Sequence, residues 1–436
     1  MKKVSFLLIV TLLFACGHSE KEAKIDLGSP QKIGFSEDSL VLPDSTYYNA
    51  VLGALVGSAI GDAMGAPTEM WHRNDIRLKY GYVQGLDPVI RTQSPEGPWG
   101  HNLIGGGTTD DTRWKHLMAH YLDRPQAQQN PKQFARFIGD RYKTIVKTLT
   151  ASETMDRTDV LDERIKRMEW IKEWARVAMA YEAGPEAYQQ ALNRFYGGEM
   201  SCAGQLYTPM FGLVAATPKT AYERGYEHAL FDLGYAKDIS GLVASMTHMA
   251  LRTTAMDSII ATVSFVDPYG YNDSRLVGRI SQGIANGAMN TVLAIENMPL
   301  IDSLIIKDSL NYNMPDGFPG TYRQWVKQEM VYRFLEKEQR SIAFHAGEIW
   351  QILITALQFG QGDFNATMQF IINYGRDNDT VAALAGMILG AKIGYDELPT
   401  DLKETVIAVN KSVIGIDLKA LAKTIVANGA QGRKKE

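Results

Sequence analysis

The sequence predicts an all-α protein, one large helical domain with helical insertions. Three observations predict it. Apolar residues recur at helical spacing across residues 46–426, with no Gly- or Pro-rich linker long enough to divide them. Segments alternating apolar with polar residues, the mark of strands, do not form a series. Two apolar segments carry glycine at every fourth position: Gly53, Gly57, Gly61 and Gly65 in the first, Gly386, Gly390 and Gly394 in the second. A chain of 436 residues has room for one to three domains, and the unbroken helical pattern selects one. The net charge is −4 and the lysines and arginines are scattered, so nucleic acid is not expected as a partner.

Residues 1–15 begin with Lys2 and Lys3 and continue as an apolar run from Val4 to Ala15. That run is shorter than the ~20 residues of a bilayer span and has the layout of a signal peptide. Its end, "LFAC" (Leu13 to Cys16), resembles a bacterial lipobox, which implies cleavage before Cys16 and lipidation of that residue. Residues 16–45 are polar and broken by Pro and Gly, and read as the lipidated cysteine and a flexible tether. The expected location is the bacterial cell envelope, periplasmic or at the outer-membrane surface, with the membrane as a partner through the anchor. With Cys16 acylated, Cys202 has no intrachain partner, so no disulfide framework is expected. Cys202 then reads as a small buried residue. Residues 427–436 read as a polar tail.

Each glycine inside a helix costs about 1 kcal/mol relative to alanine, so a stripe of them needs a compensating contact. Residues four apart share a helix face, and glycine there admits a second backbone. Asp62 and Lys392 interrupt the two segments, which suits buried core helices better than membrane spans. If the glycine faces pack on each other antiparallel, Glu69, beyond the end of the first helix, lies beside Asp377 and Asp379 at the start of the second.

A further acidic start is "GGGTTDDT", Gly105 to Thr112. Capping accounts for one or two residues at each start, because a carboxylate or hydroxyl there accepts from free N–H groups. It does not account for Asp110 beside Asp111, or Asp377 two from Asp379, since neighbouring carboxylates repel. Carboxylates gathered at one place are tolerable when cations neutralise them. A ligand set of carboxylates with the hydroxyls of Thr109 and Thr380 suits Mg²⁺ or Mn²⁺, with Ca²⁺ a third oxygen-seeking ion. His116 and His120 are four apart, but "HLMAH" lacks the glutamate of a zinc-protease helix.

Three elements in chain order resemble the ADP-ribosylglycohydrolase family: "GSAIGDAMGAPTE", "TTDDT" and "GRDNDTVAALAGMILGAKIG". Thr247 and His248 in "ASMTH" resemble a fourth. The resemblance spans residues 50–400 and implies an orthogonal all-helical fold and a pair of Mg²⁺ ions, Mn²⁺ being an alternative. It implies Thr109, Asp110, Asp111, Asp377, Asp379 and Thr380 as metal ligands, Asp379 as the bridge, and Glu69 as the active-site glutamate in acid–base work or substrate positioning. Glu69, Asp110 and Asp379 are the expected catalytic residues, and Gly107, Gln205, Tyr207 and His248 the expected substrate contacts. Asp62, inside the glycine-stripe helix, reads as structural. The implied reaction is hydrolysis of a ribosyl N- or O-glycosidic bond, with a small-molecule or ADP-ribosylated substrate. The alternative is a same-fold hydrolase of a scavenged nucleoside, other glycoside or phosphoester.

The chain departs from the family pattern at the loop that usually reads like "GNGAAMRVAPLG". Here it is "GGEMSCAGQLYTPMFG", Gly197 to Gly212, without the usual basic residue and with Tyr196, Gln205 and Tyr207 as other possible contacts. Charged helical insertions are expected near residues 125–195 and 300–345.

Overall fold

The computed structural model describes residue 40 and residues 42–90, 102–149, 158–299 and 314–433. The leader, Cys16 and most of the tether lie outside these residues. Among them are 17 helices and a single two-stranded pair, as the helical periodicity predicts.

The first half holds α1 (Asp44–Gly65), α2 (Arg73–Tyr80), α3 (Asp110–Leu122), α4 (Pro131–Leu149), α5 (Thr158–Ala183) and α6 (Pro185–Tyr196). The centre holds α7 (Pro209–Val214), α8 (Pro218–His228), α9 (Ala236–Ala250), α10 (Met256–Phe265) and α11 (Ile280–Glu296). The last part holds α12 (Tyr322–Lys337), α13 (Ala346–Phe359), α14 (Phe364–Tyr374), α15 (Asn378–Ile393), α16 (Thr400–Val409) and α17 (Leu418–Arg433). Helix α17 runs through the stretch read as a polar tail. The expected insertion near 125–195 is the α4–α5 hairpin and the short α6 that packs on α5.

Helices α1 and α15 form the central pair. Every residue of α1 from Ala50 to Gly65 is buried, and every residue of α15 from Asn378 to Ala391. A helix apolar all round belongs in a core. The segment Asp44–Thr68 is long and apolar enough to cross a membrane, yet its apolar window is wholly buried inside the protein. Helices α16 and α17 pack on α1, α13 and α14 on α15, and α9 lies against α7, α8 and α15.

Some helix starts use an ordinary cap. Thr217 accepts from Thr220 N at the start of α8, Asp363 from Ala366 N at α14, and Thr321 forms a capping box with Gln324 at α12. Helices α3 and α15 are among those that do not: Thr109 and Asp377 hold their N-cap positions without a side-chain cap bond although both side chains could accept one.

Candidate metal centre

The glycine stripes set the geometry. A Cβ on Gly53 would come within 3.0 Å of Gly390 O, one on Gly57 of Gly386 O, one on Gly61 of Ala382 O, and one on Gly65 of Asp379 Cα. The pairing descends on one strand as it climbs on the other, so α1 and α15 are antiparallel with backbones in contact. The C-terminal end of α1 therefore meets the start of α15.

Beyond α1, the short turn Ala66–Thr68 carries the chain to Glu69. There β1 (Trp71–His72) pairs antiparallel with β2 (Gly375–Arg376), and Met70 N donates to Arg376 O at 2.7 Å. Met70 and Arg376 take φ values of 64° and 63°. That left-handed region costs a residue with a Cβ about 1–2 kcal/mol, and the two sites flank Glu69 and Asp377. Arg376 is held there by Glu348, at 2.5 Å from Nε and 2.9 Å from Nη2. Asn378 donates to Thr68 Oγ1 at 2.8 Å, closing the same junction. As a result Glu69, Asp377 and Asp379, all buried, each offer a carboxylate oxygen within 4.8 Å of the others.

Helix α3 is docked onto this junction by Asp62. The Asp62 carboxylate accepts from Thr109 N at 2.9 Å, Thr109 Oγ1 at 2.9 Å, Thr112 N at 3.0 Å and Thr112 Oγ1 at 2.6 Å. It thus caps α3 from another helix, and Asp110 and Asp111 are released from that task. Asp111 accepts from Lys115 Nζ at 3.0 Å through one oxygen and from Thr380 Oγ1 at 3.1 Å through the other. A hydroxyl has one proton and two lone pairs. Thr380, donating to Asp111, and Thr109, donating to Asp62, each keep lone pairs for a cation. Asp379 Oδ1 is buried with no hydrogen-bond partner. Three gathered carboxylates, two oriented hydroxyls and an orphaned carboxylate oxygen fit a hard divalent cation.

The electrostatics agree. Burial, then Glu69 and Asp111, push the Asp377 carboxyl up to about 7. Burial, then Glu69 and Asp377, hold Asp379 well above the usual carboxylate range. Asp110, half-buried at the start of α3, is raised by burial, Asp111 and Glu69. Asp62 is raised to about 6 by burial and Asp111, against the lowering effect of its bonds from Thr112 and Thr109. These groups face one space and raise one another, a condition that a bound cation relieves.

The expected residues fall in different settings. Glu69 lies with Asp377 and Asp379 in the buried trio, as the antiparallel packing of the stripes predicts. Asp111 accepts from Lys115 through one oxygen and from Thr380 through the other, and lies outside the buried trio. Tyr207, expected as a substrate contact, is fully buried; its hydroxyl donates to His228 O at 2.8 Å and its ring packs on Trp114 and Phe134. His248 is likewise a core residue, its ring bonded to Gly212 O at 3.1 Å and to Arg252 Nε at 2.9 Å. Gly107 is buried and its N–H donates to Ile104 O at 2.9 Å, so it forms a turn and offers no donor to a phosphate. Gln205 is buried, with Nε2 donating to Ala346 O at 3.2 Å and Oε1 without a partner. Lys115 escaped the sequence reading; Cys202, read as a small buried residue, is buried. The spacing of Lys115 four residues after Asp111 was a usable signal; nothing local marked the place of the Cys202 sulfur, 3.9 Å from Asp377 Oδ2.

An all-helical fold with an acidic, cation-fitting junction at the ends of two glycine-stripe helices defines a class, and comparison with known proteins names it. The chain belongs to the ADP-ribosylglycohydrolase family, whose sequence model matches residues 43–434. It is a glycosyl hydrolase by family and fold. Among relatives it is similar to the Escherichia coli (strain K12) protein named "Uncharacterized protein YegU", 24% identical over 378 residues, which cover 86% of this chain and 96% of that one. Among solved structures it is similar in fold to an "ADP-ribosylglycohydrolase-related protein complex", with a TM-score of 0.53 and 17% identity over 88% of this chain and 99% of the other.

Proposed function

We propose that this protein is a Mg²⁺-dependent hydrolase that removes ADP-ribose from a modified acceptor by cleaving a ribosyl N- or O-glycosidic bond at a two-metal centre. The observation that carries the reading is the buried trio of Glu69, Asp377 and Asp379, with the hydroxyls of Thr109 and Thr380 oriented by the carboxylates behind them.

Such hydrolysis needs a developing oxocarbenium ion stabilised, a water placed and a proton supplied to the leaving group. When bound, two divalent ions supply a hold on ribose hydroxyls and an acidified water. Glu69, Asp377, Asp379, Thr109 and Thr380 would hold them. Asp62 and Asp111 fix the two threonine hydroxyls. Asp110, at the start of α3, carries the acid–base step. Glu69 orients substrate and cation together.

A second reading keeps the metal chemistry and changes the substrate. It is favoured by the loop from Gly197 to Gly212, which holds no basic residue and whose Tyr207 is turned into the core. On that reading the substrate is a scavenged nucleoside, another glycoside or a phosphoester. Both readings suit an enzyme tethered in the cell envelope through lipidated Cys16; Cys16→Ser is then expected to release the protein from the membrane fraction.

The test is release of ADP-ribose from ADP-ribosyl-arginine and ADP-ribosyl-serine substrates, with and without Mg²⁺, beside Asp377→Ala/Asp379→Ala. Magnesium-dependent release that the double variant lacks supports the first reading. Stoichiometric Mg²⁺ binding without release moves the assignment to the second, and a protein that binds no divalent ion sinks both.

A further inference from the structure

Lys115 stands inside the acidic junction, and no step of the proposed reaction uses it. It lies one turn beyond Asp111 on α3, 2% exposed, with Nζ 3.0 Å from Asp111 Oδ1. Among the described residues that carboxylate is the one group its ammonium bonds, and its helix neighbours Trp114, Leu117 and Met118 are buried and apolar. A buried ammonium left without a carboxylate is costly, so burial holds Lys115 and Asp111 together. The other Asp111 oxygen accepts from Thr380 Oγ1 at 3.1 Å. In the trio of Glu69, Asp377 and Asp379, by contrast, Asp379 Oδ1 is buried with no hydrogen-bond partner.

The junction thus has two unequal halves, one with an oxygen to spare and one already neutralised from within the chain. We propose that Lys115 is a resident counter-ion that makes the two ions of the centre bind unequally: the trio takes the first divalent cation, and Asp111 serves a second only after its ammonium gives way. The inference rests on the two-metal centre proposed above and adds an order of loading to it. A cation drawn to Asp111 meets a like charge, a hydrogen bond that must break and a buried ammonium that would be left unpaired. A cation drawn to the trio meets an oxygen that nothing else has claimed. Lys115 is therefore a positioning residue: acting through Asp111, it sets the Mg²⁺ concentration at which the second ion arrives.

The experiment titrates Mn²⁺ into the metal-free full chain and reads the free ion by electron paramagnetic resonance. The parent should bind one Mn²⁺ tightly and a second at least ~10-fold more weakly. Lys115→Met removes the charge and keeps the apolar stem; it should tighten the second step ~10-fold or more and the first by less, so that the gap closes. A purely structural role for Lys115 would instead weaken both steps together, and that result overturns the inference. Two equal steps in the parent, or an unchanged gap in Lys115→Met, overturn it as well and leave the metal centre standing. A parent that binds no Mn²⁺ sinks the centre itself, and the inference with it. Should Lys115→Met not fold, Lys115→Gln keeps a hydrogen-bond donor for Asp111 without the charge, and the same two-step titration decides.

Discussion

Asp377→Asn tests whether the acidic junction is held against its own charge. In the metal-free protein, burial and then Glu69 raise the Asp377 carboxyl from 3.8 to about 7. The folded-state value lies above the unfolded one, so the stability this group lends is full below the unfolded value and is lost as pH climbs toward the folded one. At ~1.4 kcal/mol per pH unit, the loss between about pH 4 and pH 7 comes to ~4 kcal/mol. Asparagine has the same shape and no charge to bury. The metal-free variant should therefore match the parent near pH 4 and exceed it by up to ~4 kcal/mol near pH 8, or ~5 °C in Tm for a chain of this length. Saturating Mg²⁺ or Mn²⁺ should reverse the order, because a ligand that binds the folded parent more tightly stabilises it more. Calorimetry in chelator across this pH range, repeated with metal, makes the comparison. A metal-free variant less stable than the parent near pH 8 would refute the reasoning, since it would show Asp377 stabilising the fold by bonds worth more than the repulsion.

Gly386→Ala should gain ~1 kcal/mol of helix propensity but put a Cβ against Gly57 O; we expect a net loss of ~1–3 kcal/mol and weaker Mn²⁺ binding as the helix ends part, and a raised Tm would contradict the packing. Asp62→Ala leaves the N–H groups of Thr109 and Thr112 without their acceptor, at ~1–3 kcal/mol each; thermal denaturation and Mn²⁺ titration should both register the loss of the α3 anchor. Tyr207→Phe removes the hydroxyl bonded to His228 O and should cost ~1 kcal/mol of stability with KM unchanged; a raised KM would return Tyr207 to the substrate pocket.

The central pair was legible because glycine at every fourth residue has one economical use, and two such stripes in one chain can satisfy each other. That argument also located Glu69 beside Asp377 and Asp379, since antiparallel packing brings those ends together. What stayed hidden depends on a third element. The spacing within α3 allows the Asp111–Lys115 pair, but the bond from Thr380 to Asp111 depends on how α3 lies on α15, which no periodicity within α3 encodes. Tyr207 and His248 sit near motif positions in sequence, but partners distant in the chain draw both into the core, Trp114, Phe134 and His228 O for Tyr207 and Gly212 O for His248. Cys202 reaches Asp377 across a sequence gap that no local pattern bridges.

The capping question shows why the junction needs all three elements. A helix start with a carboxylate of its own would spend that carboxylate on its free N–H groups. Here α3 receives its cap from Asp62 on α1, and α15 takes none from Asp377. Its start is instead fixed by Arg376, held in left-handed backbone by Glu348. Moving the caps elsewhere leaves Asp110, Asp377 and Asp379 with oxygen atoms to spare, and it ties α1, α3 and α15 to one point. A charge cluster that raises its own carboxyls could not persist on mobile ends, because the ends would separate. The backbone contact between the glycine stripes, the strand pair and the Asp62 anchor prevent that separation, so the strain of gathered acids remains available to be relieved by a cation.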